Sequence, residues 1–248
     1  MNITKHRAAG IHLAASAFVV GIVLTLMLLR WYPGAWFSAM GGNTLVFILA
    51  GVDIVIGPLL TWIVFSPGKK TLKFDMGVIF ALQISAFLYG LHVLYEARPV
   101  YMVFTNDQFR TVTAAELDPV LLEQTRYPEF RAVPENGPRV ATARMPVDAA
   151  DRDLVMMITI MGSGLHQMPQ FWHPYNGRLA LHTAGSLQTL REIAPANGAA
   201  IDAYLKSNPV DANNLRFIPL RTRKKEMAAL VDAATGDVVD ILDAKPWR

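Results

Sequence analysis

One carboxylate, Asp53, lies inside an apolar run over residues 44–65, shortly before Pro58. Asp53 would cost roughly 2.5–3.5 kcal/mol at the centre of a bilayer. A chain that keeps it there must satisfy it internally or use it. Three uses fit: a hydrogen-bonded lock between helices, a docking charge for a partner's transmembrane segment, or a step in a proton or ion relay. No second acidic residue lies at matching depth, and three helices make a poor transport path. Pro58 has no N–H to offer the carbonyl of Ile54, so a kink and a free acceptor are expected beside the carboxylate.

Elsewhere the signals for chemistry are weak. His166, His173 and His182 are spaced too irregularly for a helical metal pair. Ser163 has glycine on both sides, but Gly-x-Ser-x-Gly is not met. Asp148, Asp151 and Asp153 precede an apolar run and read as charge at a helix N-terminus. The chain has no cysteine, which excludes disulfides, thiolate metal sites and a cysteine nucleophile. The reading is of a protein that is not an enzyme, with no metal and no cofactor.

The elements that carry Asp53 are three apolar segments over residues 11–29, 44–65 and 74–95, each of helix-spanning length. The first follows Lys5 and Arg7 and reads as an uncleaved anchor, because no small-x-small site follows its long apolar run. Lys5, Arg7, Lys69, Lys70 and Lys73 flank one side, and Arg30 and Arg98 the other. This asymmetry puts the N-terminus and the Pro67-Gly68 loop in the cytoplasm and everything after Tyr95 outside. Pro67 and Gly68 make a turn, and the three loop lysines meet anionic headgroups at about 1 kcal/mol each. With Asp75 they form an orientation loop. Trp31, Tyr32, Trp36 and Phe37 read as an interfacial aromatic belt on the outer side. Ala17 with Gly21, Ala81 with Ser85 and Ala86 with Gly90 offer close helix approach.

Depth along the helices nominates neighbours for Asp53. At 1.5 Å per residue it lies about 13–14 Å below the outer end of its helix, Tyr89 about 9 Å and Gln83 about 18 Å below theirs. Either can hydrogen-bond to it, and His92 is within reach by snorkelling. Asp53, Gly57, Pro58, Tyr89 and His92 are therefore the candidate partner-binding residues.

The mean hydropathy of +0.29 averages two unlike parts. Residues 1–95 carry six basic and two acidic side chains, and the remainder 17 basic and 18 acidic. The soluble part is near neutral, so the pI of about 9.2 is no sign of nucleic-acid binding. Strand signals fall at 100–104, 108–113, 139–144, 215–220, 227–231 and 238–242, with turns at Asn106-Asp107 and Ala234-Thr-Gly-Asp237. Helices are expected over 114–124, 146–160, 186–193 and 199–206. The aromatic loop 168–175 reads as a small satellite core or an exposed patch. The basic run Arg221-Thr-Arg-Lys-Lys225 reads as a solvated turn or a surface for acidic groups. The expected fold is a three-helix transmembrane section (1–96) followed by an α+β soluble domain (97–248) on a mainly antiparallel sheet.

Several blocks occur in order: Gly10-Ile-His-Leu13, Trp31-Tyr-Pro33, Gly51-Val-Asp53 with Gly57-Pro-Leu-Leu-Thr61, Phe65-Ser-Pro-Gly-Lys-Lys-Thr-Leu-Lys-Phe-Asp75, Tyr89-Gly90 and Ala97-Arg-Pro-Val100. Together they resemble the type IV pilin accessory protein family (TfpX/TfpZ, FimB-like) over about the first 120 residues. The resemblance implies a non-catalytic protein of the bacterial inner membrane with a periplasmic C-terminal domain, acting as a chaperone-like partner of type IV pilin. An envelope scaffold or sensor, and a pilin- or glycan-modifying enzyme, are the alternatives.

Overall fold

The computed structural model describes residues 4–247. Three helices are long and apolar enough to cross a membrane: Lys5–Trp31, Gly42–Val64 and Leu72–Glu96. Thr4 caps the first, accepting from the Arg7 amide. The second packs between the other two. Its ladder is not regular: residues Gly51–Ile56 form π-helical turns, and the Gly57 amide reaches back to the Val52 carbonyl. The proline at 58 explains this, since one donor is missing and the helix widens rather than breaks.

After Glu96 the chain builds one sheet of eight strands: β1 (Pro99–Thr105), β2 (Gln108–Thr113), β3 (Arg139–Ala143), β4 (Trp172–Pro174), β5 (Gly185–Ser186), β6 (Leu215–Arg221), β7 (Glu226–Asp232) and β8 (Val238–Leu242). The order is β4-β3-β1-β2-β6-β7-β8, with β5 also on β6. The sheet is mixed, not mainly antiparallel as expected. β1 pairs parallel with β3, and β2 parallel with β6. Hairpin signals report only pairs joined by a tight turn. Both parallel pairs are closed by long crossovers that no local pattern reveals.

The hairpins themselves are local chemistry. Asn106 turns β1 into β2 with φ +56°, a left-handed conformation that Asn tolerates. Asp232 Oδ1 accepts from the Ala234 and Thr235 amides, and Gly236 at φ +77° completes the β7–β8 turn. Asp148 caps helix Ala149–Ile160 through the Ala150 and Asp151 amides. The helix expected over 199–206 starts earlier, at Pro195, and runs to Ser207, because a proline at the first helical position sacrifices no bond.

Alternate residues of the strands feed opposite cores. Tyr101 and Val103 of β1 pack with Phe130 and Trp172 under the chain that crosses from β2 to β4. Ala228 and Leu230 of β7 pack with Leu190 and Ile201 of the two later helices. The other face, with Met102, Phe104, Ile218, Leu220, Met227, Ala229 and Val231, packs against the membrane section itself. Met27, Tyr32, Trp36, Leu49 and Leu94 belong to that same core. Tyr32 and Trp36, expected in an interfacial belt, are therefore interior: Tyr32 is fully buried.

Polar ties reinforce the joint. Tyr32 Oη donates to the Leu94 carbonyl (2.8 Å), which is near the end of its helix and lacks a helical donor. The Gly137 amide donates to the Arg30 carbonyl (2.8 Å), and Thr222 Oγ1 to the Ala39 carbonyl (2.8 Å). Replacing Tyr32 with Phe keeps the ring and orphans the Leu94 carbonyl. Thermal or denaturant unfolding of the purified variant should show a loss of about 1–3 kcal/mol.

Candidate functional site

Asp53 is the twelfth of the 23 residues of the second span, so it lies near mid-bilayer. The π-helical turn carries it to the interior, where it is 94% buried, and among the described residues its Oδ2 has no hydrogen-bond partner. It forms part of the floor of a cleft of about 470 Å³ between the first and third spans. Ala8, His12, Ser16 and Val20 line one wall and Met76, Ile79, Gln83 and Phe87 the other. Thr61, buried one helical stretch away, completes the polar floor and shares a 2.6 Å hydrogen bond with His12 Nδ1.

The cleft is thus mostly apolar, with polar side chains from all three spans: His12 and Ser16, Asp53 and Thr61, and Gln83. Both amide atoms of Gln83 are buried without a partner. Buried unpaired polar groups each carry a penalty of about 1–3 kcal/mol. The cleft keeps two such side chains, Asp53 and Gln83.

The sequence-nominated residues divide. Gly57 and Pro58 are buried, and a β-carbon at Gly57 would collide with the Gln83 amide of the third span. That glycine lets the second and third spans approach. Tyr89 is 71% exposed and His92 is exposed, and neither bonds to Asp53. Depth alone nominated them; rotation about the helix axis turns both away from the carboxylate. His12 and Thr61 were missed because their contact joins residues 49 apart in sequence. The available signal was the four-residue spacing of Ala8, His12, Ser16 and Val20, which puts them on one helical face. In the orientation loop, Lys69 pairs with Asp75 (2.7 Å), Gly68 turns at φ +85°, and Pro67, Lys70 and Lys73 are exposed.

In the soluble part the three histidines do not converge. His173 Nδ1 meets Tyr127 Oη at 3.1 Å, and His182 ends helix Gly177–Leu181. His166 is buried, and burial first, then the charge of Arg110, hold its pKa down at about 4. Among the described residues no group of three or more His, Asp and Glu side chains is placed to hold a metal ion. Trp172 and Met168 of the aromatic loop are buried, with Trp172 edge-on to Tyr101 and Phe130.

Comparison with known proteins adds independent information. No family model matches the chain, and no solved structure matches it. Three relatives from Dichelobacter nodosus do. The fimbrial assembly protein of serogroup I is 32% identical over 177 residues, 70% of this chain and 68% of the relative. That of serogroup E1 is 34% identical over 178 residues, with the same coverage. That of serogroups C1 and C2 is 35% identical over 113 residues, 45% of this chain and 86% of the relative.

Two outcomes follow from this geometry. Gly57→Ala should destabilise the helix bundle by about 1–3 kcal/mol through overpacking, and Gln83→Ala in the same chain should restore much of that loss in a double-mutant cycle. For His166 the folded pKa lies below the unfolded value, so the fold requires the neutral ring. Its effect is absent above about pH 6.5, and stability falls as pH drops toward 4, by roughly 3 kcal/mol in total. Unfolding followed across that range should show a shallower loss in His166→Gln than in the natural protein.

Proposed function

This chain belongs to the family of fimbrial assembly proteins, and from that premise we propose that it serves type IV fimbriae as a non-catalytic membrane partner of pilin subunits before or during their assembly. The observation that carries this reading is the intramembrane cleft with the unpartnered Asp53 at its base. A fibre subunit awaiting assembly keeps an apolar helix in the bilayer. Such a helix fills the apolar walls, and one polar atom on it answers the carboxylate. In hydrocarbon no water competes for that contact.

In this reading a second contact lies in the soluble domain, and the charges flanking the spans support a periplasmic position for it. Helix Ala149–Ile160 exposes Met156, Met157 and Ile160, and Met161 follows, 77% exposed. A methionine-rich apolar face adapts to varied partner surfaces. Two linked weak contacts, one in the membrane and one on the pilin head, hold a subunit through effective concentration. The names of the relatives describe assembly rather than a reaction, which agrees with a non-catalytic role. In this reading Gly57 and Pro58 shape the cleft, and Tyr89 and His92 on the outward face of the third span meet lipid or a second helix. The loop of Pro67, Gly68, Lys69, Lys70, Lys73 and Asp75 fixes orientation.

The test is co-purification of pilin with tagged full-length protein, with pilin abundance measured in the same cells. Asp53→Asn should lower pilin recovery about tenfold or more, the worth of one charge-assisted hydrogen bond. Ser16→Phe should do the same by filling the cleft. Normal recovery and abundance with both variants would remove the cleft from the mechanism, and normal fimbriae in a deletion strain would remove the pilin role altogether.

A further inference from the structure

A second pocket, of about 400 Å³, lies in the soluble domain where it meets the membrane section. Arg110, Arg221 and Arg223 line it together with Thr111, His166 and Met40. Arg110 and Arg221 are register partners across the parallel β2–β6 pair. Like charges side by side on neighbouring strands destabilise a sheet unless something compensates them.

The protein supplies little compensation. Among the described residues, no ion pair holds Arg110 or Arg223. Arg221 has only a long 3.6 Å pair with Glu226 and stacks over Trp247. One carboxylate, Glu116, does line the pocket, but its oxygens are occupied. They accept from the Thr113 amide (2.7 Å), Thr113 Oγ1 (2.9 Å) and Gln167 Nε2 (3.0 Å). The pocket therefore carries three positive charges against one negative. Thr111, next to Arg110 on β2, is 92% buried, and among the described residues its hydroxyl has no hydrogen-bond partner. Three guanidinium groups lining one cavity match the tetrahedral oxygens of a phosphate.

The height of the pocket identifies the source of that phosphate. Met40 in its wall is two residues from Gly42, where the second span begins. Thr222, also in the wall, donates to the Ala39 carbonyl, and the side chain of Lys224 packs against Gly41. The basic run at 221–225 is thus pinned to the end of a membrane-spanning helix, at headgroup level. Lipid phosphates are the densest oxyanions in that layer, and anionic lipids concentrate beside basic clusters.

We propose that this pocket binds the phosphate of an anionic phospholipid in the leaflet facing the soluble domain, bridging Arg110, Arg221 and Arg223. The site is independent of the pilin cleft, and the bound lipid seats the sheet on the bilayer.

The experiment uses full-length protein in nanodiscs of equimolar phosphatidylglycerol and phosphatidylcholine, with lipids retained on release counted by native mass spectrometry. The natural protein should retain phosphatidylglycerol over phosphatidylcholine. Arg110→Gln with Arg223→Gln should cut that retention about a hundredfold, at roughly tenfold per charge-assisted hydrogen bond, and Lys206→Gln, remote from the pocket, should leave it unchanged. Folding is checked in the same samples. In phosphatidylcholine alone the double variant should unfold at or above the natural protein's temperature, because two facing like charges are relieved. In phosphatidylglycerol only the natural protein should gain stability. Equal retention of the two lipids, or unchanged retention in the double variant, overturns the proposal. So does protection of the detergent-solubilised protein by inorganic phosphate as strong as that by phosphatidylglycerol, which would make the ligand a soluble anion.

Discussion

The membrane section and the sheet share one hydrophobic core, and the rest of the architecture depends on it. Met27, Tyr32 and Leu94 come from the sheet-proximal ends of the first and third spans, and Met102, Leu220 and Met227 from the sheet. All six are nearly or completely inaccessible. Truncating a residue so placed costs about 2–5 kcal/mol. A flexible tether would leave the sheet face to water, and with Ile218, Ala229 and Val231 exposed that face would be a large apolar patch. The bilayer position of the helices therefore fixes the position of the soluble domain. The mixed sheet is consistent with this: its central strands are covered on both sides, by helices on one face and by the anchor on the other.

Within the membrane the corresponding constraint is Asp53. A mid-bilayer carboxylate persists only where something offsets its cost. Among the described residues the protein offers no hydrogen bond to Oδ2, and it spends a regular helical ladder to place the group, widening Gly51–Ile56 into π-helical turns. A purely structural lock would be expected to close its hydrogen bonds, as His12 and Thr61 do. The open valence favours the docking reading over the lock. The polar groups of the cleft differ in this respect: His12 with Thr61 ties the first span to the second, while Asp53 and Gln83 are the pair that the proposed docking would use.

Much of this was legible in the sequence, and the limits are physical. Span lengths follow from apolar runs, because the bilayer sets a fixed requirement. The Asp148 cap and the Asn106 and Gly236 turns follow from side-chain chemistry that acts within a few residues. The stretch from Gly51 to Thr61 announced itself through one acid and one proline. What escaped were contacts between distant segments. The parallel β1–β3 and β2–β6 pairs, the His12–Thr61 bond and the burial of Tyr32 each depend on how separate elements meet. Tyr89 and His92 show the complementary failure: depth along a helix follows from counting, but azimuth depends on which neighbour packs against it. The basic pocket was half visible, as the run at 221–225, but its other half, Arg110, arrives only through the β2–β6 register.

The rigid joint has a consequence for how a subunit would be held. Two contacts joined by a flexible linker gain only the effective concentration the linker allows, and the ligand must still be ordered on binding. Here the cleft opens between helices whose sheet-proximal ends are part of the sheet's own core. The exposed methionine face of Ala149–Ile160 belongs to the domain built on that sheet. The spacing between the proposed membrane contact and the proposed head contact is therefore built in. A partner whose helix and head match that spacing gains both contacts at little further entropic cost, whereas one with a different spacing gains only one. Under the proposed function, selectivity among subunits with similar apolar helices would then reside in the geometry of the joint more than in the chemistry of either surface. A lipid seated between Arg110 and Arg223 would stiffen the same joint from the bilayer side, so the two sites, though chemically unrelated, would act on one mechanical element.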